Sequence, residues 1–129
     1  MKFMLMMSCT KAQFATMADW TPAEFKAHVE FMIAFNRDLA ARGELLLAEG
    51  LDVPANAALV KAVRADAPVV SDGPFAETKE FLAGFWLIRC QDRARAIAIA
   101  AKASTAPGPG GKPIGIPIEL RQVGEAPEV

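Results

Sequence analysis

Apolar positions along this chain follow two different periods, and the switches between them outline the fold. Residues 2–8 are apolar on both alternating sets, Phe3, Leu5 and Met7 against Met4 and Met6, as in a strand covered on both faces. Residues 81–90 repeat the pattern, with Leu82, Gly84, Trp86, Ile88 and Cys90 alternating with Phe81, Ala83, Phe85 and Leu87, and Arg89 as the one charge. Both segments belong in the middle of a sheet. Between them Thr21-Pro22-Ala23-Glu24 opens a helix, with a hydroxyl at the N-cap, proline at the first position and glutamate at the third. Phe25, Val29, Met32, Asn36, Leu39 and Ala40 then share a stripe at 3.6-residue spacing, and Gly43 stops the helix after Arg42. Ala27, Phe31, Ala34 and Ala41 make the opposite face less polar than a solvated face needs to be, which suits partial cover by a partner subunit.

The remaining segments complete a recognisable order. Residues 9–20 show no period and read as a loop; residues 44–51 read as a strand, and 52–58 supply Pro, Asn and Asp for a loop. Residues 59–64 and 69–71, joined by a turn at 65–68, form a small hairpin that delivers the chain to Asp72. Asp92 caps an alanine-rich helix over 93–104. Three prolines and four glycines within 105–115 predict a mobile loop, 116–123 a half-exposed strand, and 124–129 a tail. The sequence β, α, β, hairpin, β, α, β matches the split βαβ arrangement of ferredoxin-like α+β domains: an antiparallel sheet with two helices on one face and an extra small hairpin. Two strands are apolar on both sides and no third long helix is predicted. A second copy packed sheet against sheet, a dimeric α/β barrel-like homodimer, would cover the open face.

Composition narrows the functional classes. The chain of 129 residues fits a single domain, and its 14 basic against 15 acidic residues give a net charge of −1, no electrostatic footprint for nucleic acid or an anionic membrane. The apolar run at 3–7 is shorter than the roughly 7 to 15 residues of a signal-peptide core. No window approaches the roughly 18 apolar residues of a membrane span, so a cytoplasmic location is the expectation. Cys9 and Cys90 lack C-x-x-C spacing, and with one histidine no zinc pattern exists; Gly108-Pro109-Gly110-Gly111-Lys112 lacks the phosphate-loop spacing. No metal and no cofactor is expected.

One run stands apart: Asp72-Gly73-Pro74-Phe75-Ala76-Glu77-Thr78-Lys79-Glu80 combines a turn signal, three carboxylates and a lysine. Together with the Ala83-Gly84-Phe85-Trp86-Leu87-Ile88 strand, Lys2-Phe3-Met4-Leu5-Met6, Ala41-Arg42-Gly43-Glu44 and Glu49-Gly50-Leu51, it resembles the DGPF branch of the YCII-related domain family across nearly the whole chain. The resemblance implies a dimeric ferredoxin-like fold. It implies little about activity: members are mostly uncharacterised, some are associated with extracytoplasmic-function sigma factors, and distant relatives include a dechlorinating enzyme and carry a proposed His-Asp pair in a cleft. Counted back from Gly43, the family histidine falls near Met32. His28, the only histidine, lies about one turn earlier and does not inherit that role.

The candidate chemistry rests on six residues. Asp72 reads either as a turn cap or as an acid/base carboxylate lining a cleft, with Glu77 and Lys79 beside it. His28, on the flank of the helix stripe, reads either as a half-buried histidine bonded to the backbone or as a catalytic group, although no orienting partner is evident in sequence. Asn36 needs hydrogen-bond partners, in a neighbouring loop or a polar cavity, and Arg89 needs a counter-charge or a cleft. Two functions remain open. One is binding or transformation of a small molecule in a cleft near Asp72; the other is a non-enzymatic accessory or regulatory module, with a sigma factor as the partner the resemblance suggests.

Overall fold

A computed structural model describes residues 1–73 and 79–124. Its elements are β1 (Lys2–Thr10), α1 (Lys11–Met17), α2 (Pro22–Ala41), β2 (Leu45–Gly50), β3 (Ala58–Lys61), β4 (Val69–Asp72), β5 (Glu80–Arg89), α3 (Arg93–Ser104) and β6 (Ile118–Gln122). Short 3-10 turns lie at Pro54–Asn56 and Pro109–Gly111. The main sheet has the order β2-β5-β1-β6, antiparallel throughout, and β3-β4 form a separate two-stranded sheet. This mixed α+β topology is consistent with a ferredoxin-like arrangement.

The doubly apolar strands are the two central ones, as their pattern requires. Register puts Phe3 opposite Ile88 and Leu5 opposite Trp86, and all four are buried beneath the helices. Phe35 and Leu39 of α2 and Ala96, Ile99 and Ala103 of α3 close this core from above. Phe35 meets Trp86 edge to face, with ring centroids 5.6 Å apart, a favourable aromatic geometry. On the other face the same register aligns Met4 with Leu87 and Met6 with Phe85, beside Leu47 of β2.

Three features depart from the sequence expectation. The segment 9–20 is not a loop: β1 continues to Thr10, and Thr10 starts α1 with a capping box, its hydroxyl accepting from the Gln13 N–H while the Gln13 side chain accepts from the Thr10 N–H. The signal T-x-x-Q was present, but seven residues are too few to show a helical period. The core face of α2 is also rotated. His28, Phe31, Met32, Phe35, Asn36 and Leu39 turn inward while Phe25 and Val29 remain 40% and 51% exposed, so Phe31 belongs to the inner face. The sheet decides this, because Trp86 packs edge to face with Phe35 and donates its indole N–H to Asn36. Finally, a bulge leaves Ala83 without a partner between the Met7–Gly84 and Ser8–Leu82 pairs. Beyond it the alternation of β5 reverses, and Phe81 joins Cys9 on the helix side, where it meets Phe14 of α1 at 6.3 Å.

The segment 105–115, rich in proline and glycine, is tied down at several points. Gly108 N–H donates to the Lys112 carbonyl at 2.7 Å, Ile114 N–H to that of Ala106 at 2.7 Å, and the Ser104 hydroxyl to that of Ile116 at 2.9 Å. Gly110, Gly111 and Gly115 adopt positive φ, the left-handed region in which glycine carries no steric penalty. No helix among the described residues is long and apolar enough to cross a membrane.

Two substitutions measure what holds this fold. Leu5→Ala, at a position with no exposure, is expected to cost about 2 to 5 kcal/mol in denaturant unfolding. Thr21→Ala, which removes the cap hydroxyl that accepts from the Glu24 N–H at 3.1 Å, should cost about 1 kcal/mol.

Candidate functional site

The core fills only half the space under α2. Beneath the N-terminal half, the sheet presents small residues: Ala48 and Gly50 on β2, Ala83 and Gly84 on β5, with Gly50 and Gly84 paired directly across the strands. A β-carbon on Gly84 would lie 3.0 Å from the Glu49 carbonyl oxygen, so close strand approach also favours glycine there. The result is a cleft of about 720 Å³, within the range of small-molecule sites. Met7 and Cys9 complete its floor, Phe14 and Met17 of α1 one wall, Phe25, His28, Met32 and Asn36 of α2 the roof, and Ile114 and Ile116 the far side.

Two polar side chains of α2 reach this apolar space, and both are fixed. The Nδ1 atom of His28 lies 3.0 Å from the Pro107 carbonyl oxygen. A carbonyl only accepts, so Nδ1 carries the proton, and in the neutral imidazole Nε2 is left as an acceptor. The ring is held further by Trp20, edge to face at 5.5 Å. Asn36 accepts a hydrogen bond from the Trp86 indole N–H at 2.8 Å. Because the indole only donates, this contact fixes the amide with Oδ1 towards Trp86, and Nδ2 has no protein acceptor among the described residues. The partner of Asn36 is thus a strand side chain rather than a loop.

The Pro107 carbonyl comes from the 105–115 segment, and a second contact fastens that segment to α2. The Glu24 carboxylate accepts from the Thr21 N–H at 2.9 Å through Oε1 and from the Gly110 N–H at 2.6 Å through Oε2. These backbone hydrogen bonds, Thr21 first, hold the carboxyl below its ordinary value of 4.5. The same glutamate that closes the capping box therefore also anchors the segment that orients His28.

Glu49 also borders the cleft, but it pairs with Phe85 and its side chain stands on the sheet face away from α2. Burial first, and then the Glu80 carboxylate, push the Cys9 thiol above its ordinary 9.0, so it stays a protonated thiol at neutral pH. Among the described residues, no lysine or arginine lines the space and no cluster of three or more His, Cys, Asp or Glu is able to hold a metal.

The remaining expected site residues lie elsewhere. Asp72 ends β4, exposed and opposite Ala58, and is not among the residues lining the cleft. Its neighbour Gly73 has no positive φ; its N–H donates to the Ala57 carbonyl at 2.7 Å, and a β-carbon there would collide with the Pro54 carbonyl. Close approach, not turn geometry, is what requires glycine. Lys79 is exposed, and Glu77 lies outside the described residues. Arg89 ends β5, at the opposite end of that strand from Glu80. It sits with Arg42, Glu44 and Arg95 around a shallow polar depression. There Glu44 and Arg95 form a two-pronged ion pair at 2.8 and 2.9 Å. Of the five expected site residues that are described, His28 and Asn36 alone line the cleft. Trp86 and the Pro107 carbonyl, which orient them, were not found from sequence: one looks like any core aromatic, and the other is a backbone atom 79 residues from its partner.

Comparison with known proteins settles the family. The profile of the YCII-related domain matches residues 1–108. An uncharacterised protein of Rhizobium meliloti is 35% identical over 108 residues, covering 84% of this chain and 86% of the relative. The chain belongs to the YCII-related domain family. Neither match names an activity, and the family profile ends at residue 108, inside the segment that bears Pro107. The run that carries the resemblance to the DGPF branch has its middle, residues 74–78, outside the described part of this YCII-related protein.

Acid titration tests the two carboxylates. Hydrogen bonding to Arg95, the largest cause, holds Glu44 below 4.5, as backbone bonds hold Glu24. A folded-state value below the unfolded one adds stability that is fully present above 4.5 and lost as pH falls through the folded values. Unfolding free energy should therefore be flat from neutral pH to about 4.5 and drop below it. In Glu44→Gln the neutral-pH stability falls, the acid drop is shallower, and the two curves converge at low pH.

Proposed function

We propose that this YCII-related protein binds a small molecule in the cleft between α2 and the sheet, with His28 as its principal polar contact. The observation that carries this reading is the imidazole at the cleft wall, its tautomer set by the Pro107 carbonyl and its Nε2 free to accept a hydrogen bond or a proton. Orientation by a third group is what general-base chemistry requires, so the same geometry supports transformation of the bound molecule as well as binding. In this reading Asp72, Lys79 and Arg89 stand outside the site. The test is binding of N-phenylnaphthylamine, a neutral apolar fluorophore. The native protein should bind it at micromolar concentration, Ala48→Phe should weaken binding at least about tenfold by filling the floor, and Asp72→Asn should leave it unchanged. Equal binding by Ala48→Phe and native protein would place the probe elsewhere and defeat the proposal.

A second reading, a dimeric accessory module working through its surface, has a different observation in its favour. The hairpin β3-β4 exposes Leu59, Val60, Val69 and Val70 at 58%, 66%, 65% and 55%. A two-stranded hairpin is marginal alone, and the sheet face bearing Met4, Met6, Leu47, Phe85 and Leu87 also lies away from the helices. A homodimer joined through that open face would cover part of this surface, and the resemblance adds a sigma factor as a further partner. Light scattering should return twice the chain mass at micromolar concentration, and Leu87→Lys should halve it. A monomer mass for the native chain would remove this reading.

A further inference from the structure

The lining of the cleft restricts what it accepts, and the restriction rests on the reading of the cleft as a binding site. Three properties bear on the ligand. Among the described residues the wall contains no lysine or arginine, so a permanently anionic group such as a phosphate or sulfonate would be desolvated without a permanent counter-charge. The Cys9 thiol stays protonated, and Glu49, the one carboxylate residue among the described residues lining the cleft, pairs with Phe85 and so turns its side chain to the sheet face away from α2; neither offers a cation a partner. What remains is one acceptor and one donor of fixed identity: His28 Nε2, because Nδ1 is committed to Pro107, and Asn36 Nδ2, because Oδ1 is committed to Trp86.

Their spacing adds a length. His28 and Asn36 are eight residues apart on α2, which corresponds to about 12 Å along the helix axis. Between them the wall is Met32, and the floor beneath is Gly84, Ala83 and Ala48, with no other polar side chain of α2 intervening. Methionine is an adaptable apolar surface suited to a flat ring system. The geometry points to an uncharged, elongated apolar ligand, aromatic or alicyclic, that carries a hydroxyl at the His28 end and a carbonyl or ether oxygen at the Asn36 end. The hydroxyl donates to Nε2 and the far oxygen accepts from Nδ2. A charged carboxylate in place of the hydroxyl would depend on protonating His28, whereas the neutral hydroxyl needs no change of charge.

A matched series of biphenyls tests this: one with a para-hydroxyl on one ring and a para-acetyl on the other, its methyl ether, and the analogue with a carboxylate in place of the hydroxyl. Displacement of N-phenylnaphthylamine from the full chain at neutral pH reads each affinity. The hydroxyl compound should bind about tenfold more tightly than the ether, a difference of about 1.4 kcal/mol, and more tightly than the carboxylate. In His28→Phe the ether and hydroxyl compounds should become equal while the naphthylamine still binds. Replacing the acetyl by ethyl should cost affinity in the native protein and not in Asn36→Leu. An ether as tight as the phenol, or a preference that survives His28→Phe, overturns the assignment but leaves the cleft as a binding site. Tightest binding by the carboxylate overturns it in favour of an acid ligand. Failure of the naphthylamine to bind at all removes the cleft reading and this assignment with it. The ligand series on native protein decides the matter even if a variant folds poorly.

Discussion

The pairing of β1 with β5 is the constraint on which everything else is built. These strands occupy the two central positions of the sheet, and each carries an apolar row on both faces. One row, Phe3, Leu5, Trp86 and Ile88, must be covered by helices, and covering it sets where α2 and α3 lie. Trp86 then sets how α2 is rotated. Its ring meets Phe35 edge to face, and its indole N–H, which is costly to bury unpaired, donates to the Asn36 amide oxygen. With the C-terminal half of α2 locked in this way, its N-terminal half is held over a stretch of sheet built from alanine and glycine.

The cleft is therefore a consequence of unequal side-chain volume beneath one rigid helix. Where large residues face α2 there is core, and where Ala48, Gly50, Ala83 and Gly84 face it there is space. An apolar void of this size would normally be disfavoured through lost contacts. Here the surrounding elements are braced independently: α2 by its capping box, and the 105–115 segment by its own hydrogen bonds and by Glu24 and His28. Bracing from several sides is what keeps a binding space open without a ligand.

The two polar residues of the cleft show how function and structure share atoms. Asn36 is needed by Trp86 and His28 receives its orientation from Pro107, yet each keeps one unused hydrogen-bonding atom. The described part of the acidic run from Asp72, the most conspicuous feature of the sequence, contributes neither; it shapes the hairpin, with Gly73 packed against the Pro54–Asn56 turn.

Much of this molecule was legible from local chemistry. The doubly apolar strands, the Thr21-Glu24 capping box, the stop at Gly43 and the alanine-rich helix after Asp92 are properties of neighbouring residues, and each element lies where those properties place it. Alpha-helix α1 escaped because seven residues carry too little periodicity, and the rotation of α2 escaped because two apolar stripes competed and only Trp86 chose between them. The site was less legible still. His28 and Asn36 could be singled out as polar residues on an apolar helix, but the accepting carbonyl of Pro107, an indole across the sheet and a patch of small residues beneath come from segments up to 79 residues distant. Sequence patterns act over a few residues through backbone geometry and burial, whereas an oriented imidazole above a cavity exists only once distant segments have packed together.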